Sequence, residues 1–160
     1  MIMTARSIFK RQEGFTLIEL LVVIGILAIL LAITLIAINP ARQFGQANDT
    51  KRRSDINAIL NAVGQYTASN GGNLPTEISG LAADTPTVLS STTALAGLCA
   101  KLTPTYVPAL PVDPTGNNQS GIDSASCGGA WNTLYTVSRD ANNRITVSAT
   151  GYSGAINVTR

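Results

Sequence analysis

At 160 residues, with 45% hydrophobic and only 12% charged side chains, the chain has room for one small domain and one long apolar segment, but not for two domains. It contains no histidine, which excludes a Ser-His-Asp triad, a Cys-His pair and any histidine metal site within the chain. The formal charge of +2 comes entirely from Arg6, Lys10, Arg11 and Glu13, so residues 15–160 are neutral and lack the basic bias that non-specific nucleic-acid binding needs.

Residues 1–14 form a short basic leader. Behind it, the run from Phe15 to Ile38 is interrupted only by Thr16, Glu19, Gly25 and Thr34. About 20 apolar residues cross a bilayer as a helix, so residues 15–39 read as a single membrane span. An ordinary secretory signal would have an apolar core of about 7–15 residues ending at a small-x-small site. This run is longer, and Ala37-Ile38-Asn39 fits such a site poorly. Positive charge gathers on the N-terminal side of the span, which predicts a cytoplasmic N-terminus and an exported C-terminal part.

Glu19 is the one acid in this run. A carboxylate at mid-bilayer costs about 2.5–3.5 kcal/mol, less near an interface. Its place in the first turn also suits the positive end of the helix dipole. An acid retained at such a position points to a function in the membrane.

Pro40 interrupts the pattern without ending it, and residues 40–70 read as an amphipathic continuation of the helix. Ile56, Ile59, Leu60, Val63 and Tyr66 recur at helical spacing, with Arg52, Arg53, Asp55, Asn57 and Asn61 mostly elsewhere. Lys51-Arg52-Arg53 reads as a solvated helix face. Asn70-Gly71-Gly72 and then Pro75 predict a stop near Ser69. A continuous helix from Phe15 to Ser69 would extend about 80 Å at 1.5 Å per residue.

Residues 71–160 form the predicted head. Leu74 to Thr93 reads as loop, and Ala94 to Leu102 as a short helix burying Leu95, Leu98 and Leu102. The prolines between Tyr106 and Pro114 exclude helix and central strand. Alternation at Trp131, Thr133, Tyr135 and Val137, then at Ile145, Val147 and Ala149 beyond Asp140-Ala141-Asn142-Asn143, predicts a hairpin. Tyr152 to Val158 adds a third strand. Trp131, Tyr135 and Tyr106 read as core or subunit contacts. The expected fold is α+β, a long N-terminal helix packed on a small antiparallel sheet that covers the Ile56 to Tyr66 stripe. Cys99 and Cys127 fall in the exported part, where a disulfide persists; two buried free thiols are the alternative.

Gly14-Phe15-Thr16-Leu17-Ile18-Glu19, with its basic leader and apolar helix, resembles the class III signal of type IV pilins and type II secretion pseudopilins. The long helix, the proline-rich loop and the terminal hairpin resemble the same family. The resemblance implies that a prepilin peptidase cuts between Gly14 and Phe15 on the cytoplasmic side and N-methylates Phe15. It implies that Glu19 pairs with the amino terminus of a neighbouring subunit, setting register as subunits pack. Its implied partners are copies of the chain, other pilin-like subunits, the membrane and a pilus or secretion assembly platform. The function it implies is that of a structural subunit of a type IV pilus or related filament, with a major type II secretion pseudopilin and a membrane-tethered binding module as alternatives; no specific nucleic acid and no catalysis are expected.

Asp113 and Asp123 resemble part of the calcium loop of major type II secretion pseudopilins, because hard cations want several oxygen ligands. They make no closed metal motif, and the hairpin tip carries Asp140 with asparagines instead of an acidic loop. No cofactor is expected, with calcium at Asp113 and Asp123 as the alternative.

Overall fold

The computed structural model describes residues 14–117 and 119–160. The leader ahead of Gly14, including Arg6, Lys10, Arg11 and Glu13, lies outside the described residues. The chain divides into two compact units, with the boundary between Pro40 and Ala41.

The first unit carries helix α1, Leu17–Ile38, with Thr16 at its N-cap. None of its residues is buried, and at 22 residues it is the one helix among the described residues long and apolar enough to cross a membrane. Leu, Ile and Val side chains gain about 1.5–3 kcal/mol each on leaving water. A bare helix made of them therefore requires lipid or protein around it.

The helical run is broken by one residue. Asn39 adopts the left-handed conformation, with φ of 44° and ψ of 79°, and helix α2 begins at once with Pro40–Ser69. The helix expected to continue past an interruption at Pro40 does continue, with Asn39 dividing it into α1 and α2. Proline disfavours the right-handed α region in the residue before it, and asparagine is among the few residue types that tolerate the left-handed one. Pro40 itself sits at a first helical position, where its missing N–H would have no intrahelical partner anyway.

In the second unit, α2 buries Ile56, Ile59, Leu60 and Val63, the stripe that the sequence predicts, with Tyr66 half-buried at its end, and it also buries Ala62. Gly71 and Gly72, with φ of 65° and 87°, close the helix. Gly72 N donates to Thr67 O at 2.9 Å, satisfying a terminal carbonyl. Helix α3 (Thr76–Ser79) and strand β1 (Thr87–Ser90) follow, then helix α4 (Leu98–Leu102), which buries Leu98 and Leu102 while Leu95 is buried just ahead of it. Strands β2 (Ala109–Leu110) and β3 (Ile122–Asp123) make a two-residue ladder. Strands β4 (Asn132–Arg139), β5 (Ile145–Thr150) and β6 (Ala155–Thr159) complete the chain.

The main sheet is antiparallel, in the order β1-β4-β5-β6. Tyr135, Val137, Val147 and Ala149 point into the core with Ile145 and Ile156, against the α2 stripe. The segment read as loop between Leu74 and Thr93 contains the edge strand β1. Its Thr-rich sequence hides the strand, which exists because β4 offers an unpaired edge, with Thr87 opposite Val137 and Val88 opposite Thr136. A bulge interrupts this ladder, and Leu134, at φ of 64°, carries the irregularity.

Cys99 and Cys127 are disulfide-bonded with Cα atoms 5.6 Å apart, closing a loop across 28 positions. The bond ties α4, at buried Cys99, to the 3-10 turn Ser126–Gly128. Trp131 strengthens the same corner, its indole N–H donating to Cys127 O at 3.1 Å.

Candidate functional site

Helix α1 begins with a reciprocal cap. The Thr16 backbone N–H and hydroxyl donate to Glu19 Oε2 at 2.8 and 2.7 Å, and Glu19 N donates to Thr16 Oγ1 at 3.3 Å. This is a capping box, in which a threonine and a glutamate three residues on satisfy each other's backbone donors. Thr16 was not singled out by the reading of the sequence, although the Thr-x-x-Glu spacing before an apolar run carries the signal. The cap holds the Glu19 carboxylate against the start of the helix, among exposed Phe15, Leu17, Ile18, Val22 and Val23. Gly14 and Phe15 precede the helix in non-helical backbone, and nothing stands within 4 Å of a Cβ placed at Gly14. The resulting surface is one acid in a field of apolar side chains.

The head is organised by charges that its exterior does not reveal. Arg52 is 6% exposed. Its Nε donates to Asp113 Oδ2 at 2.6 Å and its Nη2 to Asp113 Oδ1 at 3.0 Å, a bidentate pair, while Nη1 reaches Asp49 Oδ1 at 2.9 Å. Asp113, 4% exposed, also accepts from Thr115 N at 2.9 Å and Thr115 Oγ1 at 2.6 Å. Asp49 accepts from Tyr152 N at 2.8 Å. One helical arginine therefore pins the loop after β2, and through Asp49 the turn between β5 and β6. Next to it, Tyr135 Oη donates to Asp55 Oδ2 at 2.8 Å and Lys51 Nζ reaches the same oxygen at 2.7 Å.

The expected solvated face of Lys51-Arg52-Arg53 is corrected by this arrangement: Lys51 and Arg53 are exposed but Arg52 is buried. The three residues sit on one helix, and the side facing the proline-rich loop takes the middle one. Burial by itself pushes the Asp113 carboxyl up, but the Arg52 guanidinium and Thr115 outweigh it and hold the carboxyl below the usual range. Burial, then the Asp55 acceptor, push the Tyr135 phenol far up, so it stays a neutral donor.

The donor set does not fit a calcium ion. Both oxygens of Asp113 are taken by a guanidinium, and a second cation beside Arg52 would meet its charge. Asp123 accepts from Ser126 N at 2.9 Å at the start of the 3-10 turn. The hydrogen-bond shells of the two acids share no residue, and among the described residues no group of three or more acid, cysteine or histidine side chains is placed to hold a metal.

A membrane-length N-terminal helix headed by an acid, joined to a small α+β head with a terminal antiparallel sheet, defines a class: single-span anchored subunits that offer an apolar helix to a partner. Residues 9–35 match the family described as the prokaryotic N-terminal methylation motif. The chain is 37% identical over 108 residues to the Type II secretion system core protein G of Aeromonas hydrophila, an alignment covering 68% of this chain and 71% of that protein. No solved structure matches. The chain belongs to the type IV pilin and type II secretion pseudopilin family, whose members are structural subunits.

Proposed function

We propose that the chain is a structural subunit of a type IV pilus or related filament, stored in the cytoplasmic membrane as a single-span protein with its N-terminus inside. A prepilin peptidase cuts between Gly14 and Phe15 and N-methylates Phe15. The mature helix then leaves the lipid for a filament core made of equivalent helices, outside the cytoplasm. The observation that carries this reading is α1 itself, apolar and exposed along its whole length, with Glu19 in its first turn. Lipid and the apolar helices of other copies satisfy the same surface, so one segment serves as anchor and as assembly core.

Within that core Glu19 meets the amino terminus of a neighbouring Phe15. An isolated acid and an isolated ammonium are each costly in a low-dielectric interior, and pairing removes both penalties only in the correct register. Likeness to a core protein of the type II secretion system favours a secretion filament over a surface pilus. We also propose that the head holds no calcium, its loop being fastened by Arg52. Imaging filaments released from the envelope of lysed cells that overexpress this chain, with an antibody to the head, tests the reading. Labelled filaments are expected. Chain found solely in the membrane fraction, with no labelled filament, overturns it.

A further inference from the structure

Two aromatic side chains near the start of α2, Phe44 on the helix and Tyr152 resting on Gly45, have no place in the core. Phe44 is 71% exposed and Tyr152, in the turn between β5 and β6, is 56% exposed. Tyr152 is nonetheless firmly held. A Cβ at Gly45 would come within 2.9 Å of Tyr152 Cδ1 and closer still to Cγ and Cδ2, so the ring lies directly on the glycine backbone. Tyr152 N is fixed by Asp49, which Arg52 holds in turn, and Gly151 N closes the turn on Gly154 O at 2.9 Å. The head thus spends a glycine pedestal and an arm of its charge network on a ring that stays mostly outside.

Chain position identifies the occupant. Phe44 is six residues beyond Ile38, the end of α1. Twenty-two helical residues rise about 33 Å, which matches a hydrocarbon core of about 30 Å, and the headgroup layer begins where that core ends. Tyrosine and tryptophan concentrate in that layer because an apolar ring with a polar tip suits it. We propose that Phe44 and Tyr152 form a membrane-interface contact that seats the base of the head in the lipid headgroup layer while the subunit is still anchored. The inference rests on α1 spanning the bilayer. The contact is made by apolar rings, one with a polar tip, so zwitterionic lipid suffices for it.

The test uses the full chain in phosphatidylcholine vesicles whose lipids carry bromine either near the headgroup or near the chain ends. Phe44→Trp and Tyr152→Trp each add emission to that of buried Trp131, and the unmodified chain gives the reference. Headgroup-proximal bromine is expected to quench the added emission at either position more strongly than chain-end bromine does, and to leave the reference signal nearly unchanged. Added emission that is unquenched and water-like overturns the proposal, as does a change seen only on assembly with other copies. Leu27→Trp separates the two readings. Quenching at Leu27→Trp by chain-end bromine, with none at positions 44 and 152, removes the interface contact alone, whereas no quenching at Leu27→Trp removes the span on which it rests.

Discussion

Arg52 and Asp113 form a buried bidentate ion pair, with contacts of 2.6 and 3.0 Å, that joins the middle of α2 to the proline-rich loop. The pair fastens a segment whose prolines leave it only the two-residue ladder of β2 with β3. Removing one partner leaves the other charge buried and uncompensated. Arg52→Ala is therefore expected to destabilise the head by about 3–5 kcal/mol, and Arg52→Met with Asp113→Leu to recover much of that loss. Denaturant unfolding of the two variants decides the matter. Equal losses would show that the pair is not the fastening.

If Arg52 supplies the positive charge that this loop needs, a divalent cation adds nothing. Thermal unfolding with millimolar calcium and with a chelator is expected to give the same midpoint. A midpoint that rises with calcium concentration would contradict the Arg52 account.

The same pair sets a pH dependence. The Asp113 carboxyl lies below its ordinary value in the folded chain, so in acid the unfolded state binds more protons. The stabilisation is complete above the unfolded carboxyl range, near pH 4, and is lost as pH falls through the lower folded value. The stability gap between the unmodified chain and Asp113→Asn should accordingly shrink below about pH 4. A gap that widened in acid would reverse the assigned sign.

How much of this was legible in sequence differs from one element to the next. The α2 stripe, the stop at Gly71 and Gly72 and the hairpin of β4 and β5 follow from local periodicity and turn chemistry, and each lies where that chemistry put it. Strand β1 was not legible, because its partner β4 lies more than forty positions away and nothing local compels Thr87–Ser90 to extend. Arg52 was hidden for a similar reason, since periodicity does not say which of three adjacent basic residues faces a loop sixty positions on. Thr16, by contrast, was readable from its spacing to Glu19.

The capping box makes Thr16 a positioning residue for Glu19. Thr16→Ala is expected to weaken the first turn of α1 by about 0.5–2 kcal/mol and to lower filament yield while leaving cleavage intact. Glu19→Ala is expected to be cut normally and to assemble poorly or out of register. Immunoblots of processed chain beside counts of labelled filaments measure both steps. Normal filaments from Glu19→Ala, with no other subunit supplying the acid, would remove the pairing mechanism.

The disulfide between Cys99 and Cys127 closes a loop across 28 positions, and such loops stabilise by about 3 kcal/mol on the chain-entropy view. Reduction should lower the unfolding midpoint of the head by a corresponding amount. An unchanged midpoint after complete reduction would show that the α4 corner holds without it.

In the proposed function one helix is first a membrane anchor and then, once cut after Gly14, a filament core. The most direct measurement is the mass of the N-terminal peptide of the chain recovered from purified filaments. A peptide beginning at N-methylated Phe15 is expected. Filaments whose subunits retain residues 1–14 would contradict it.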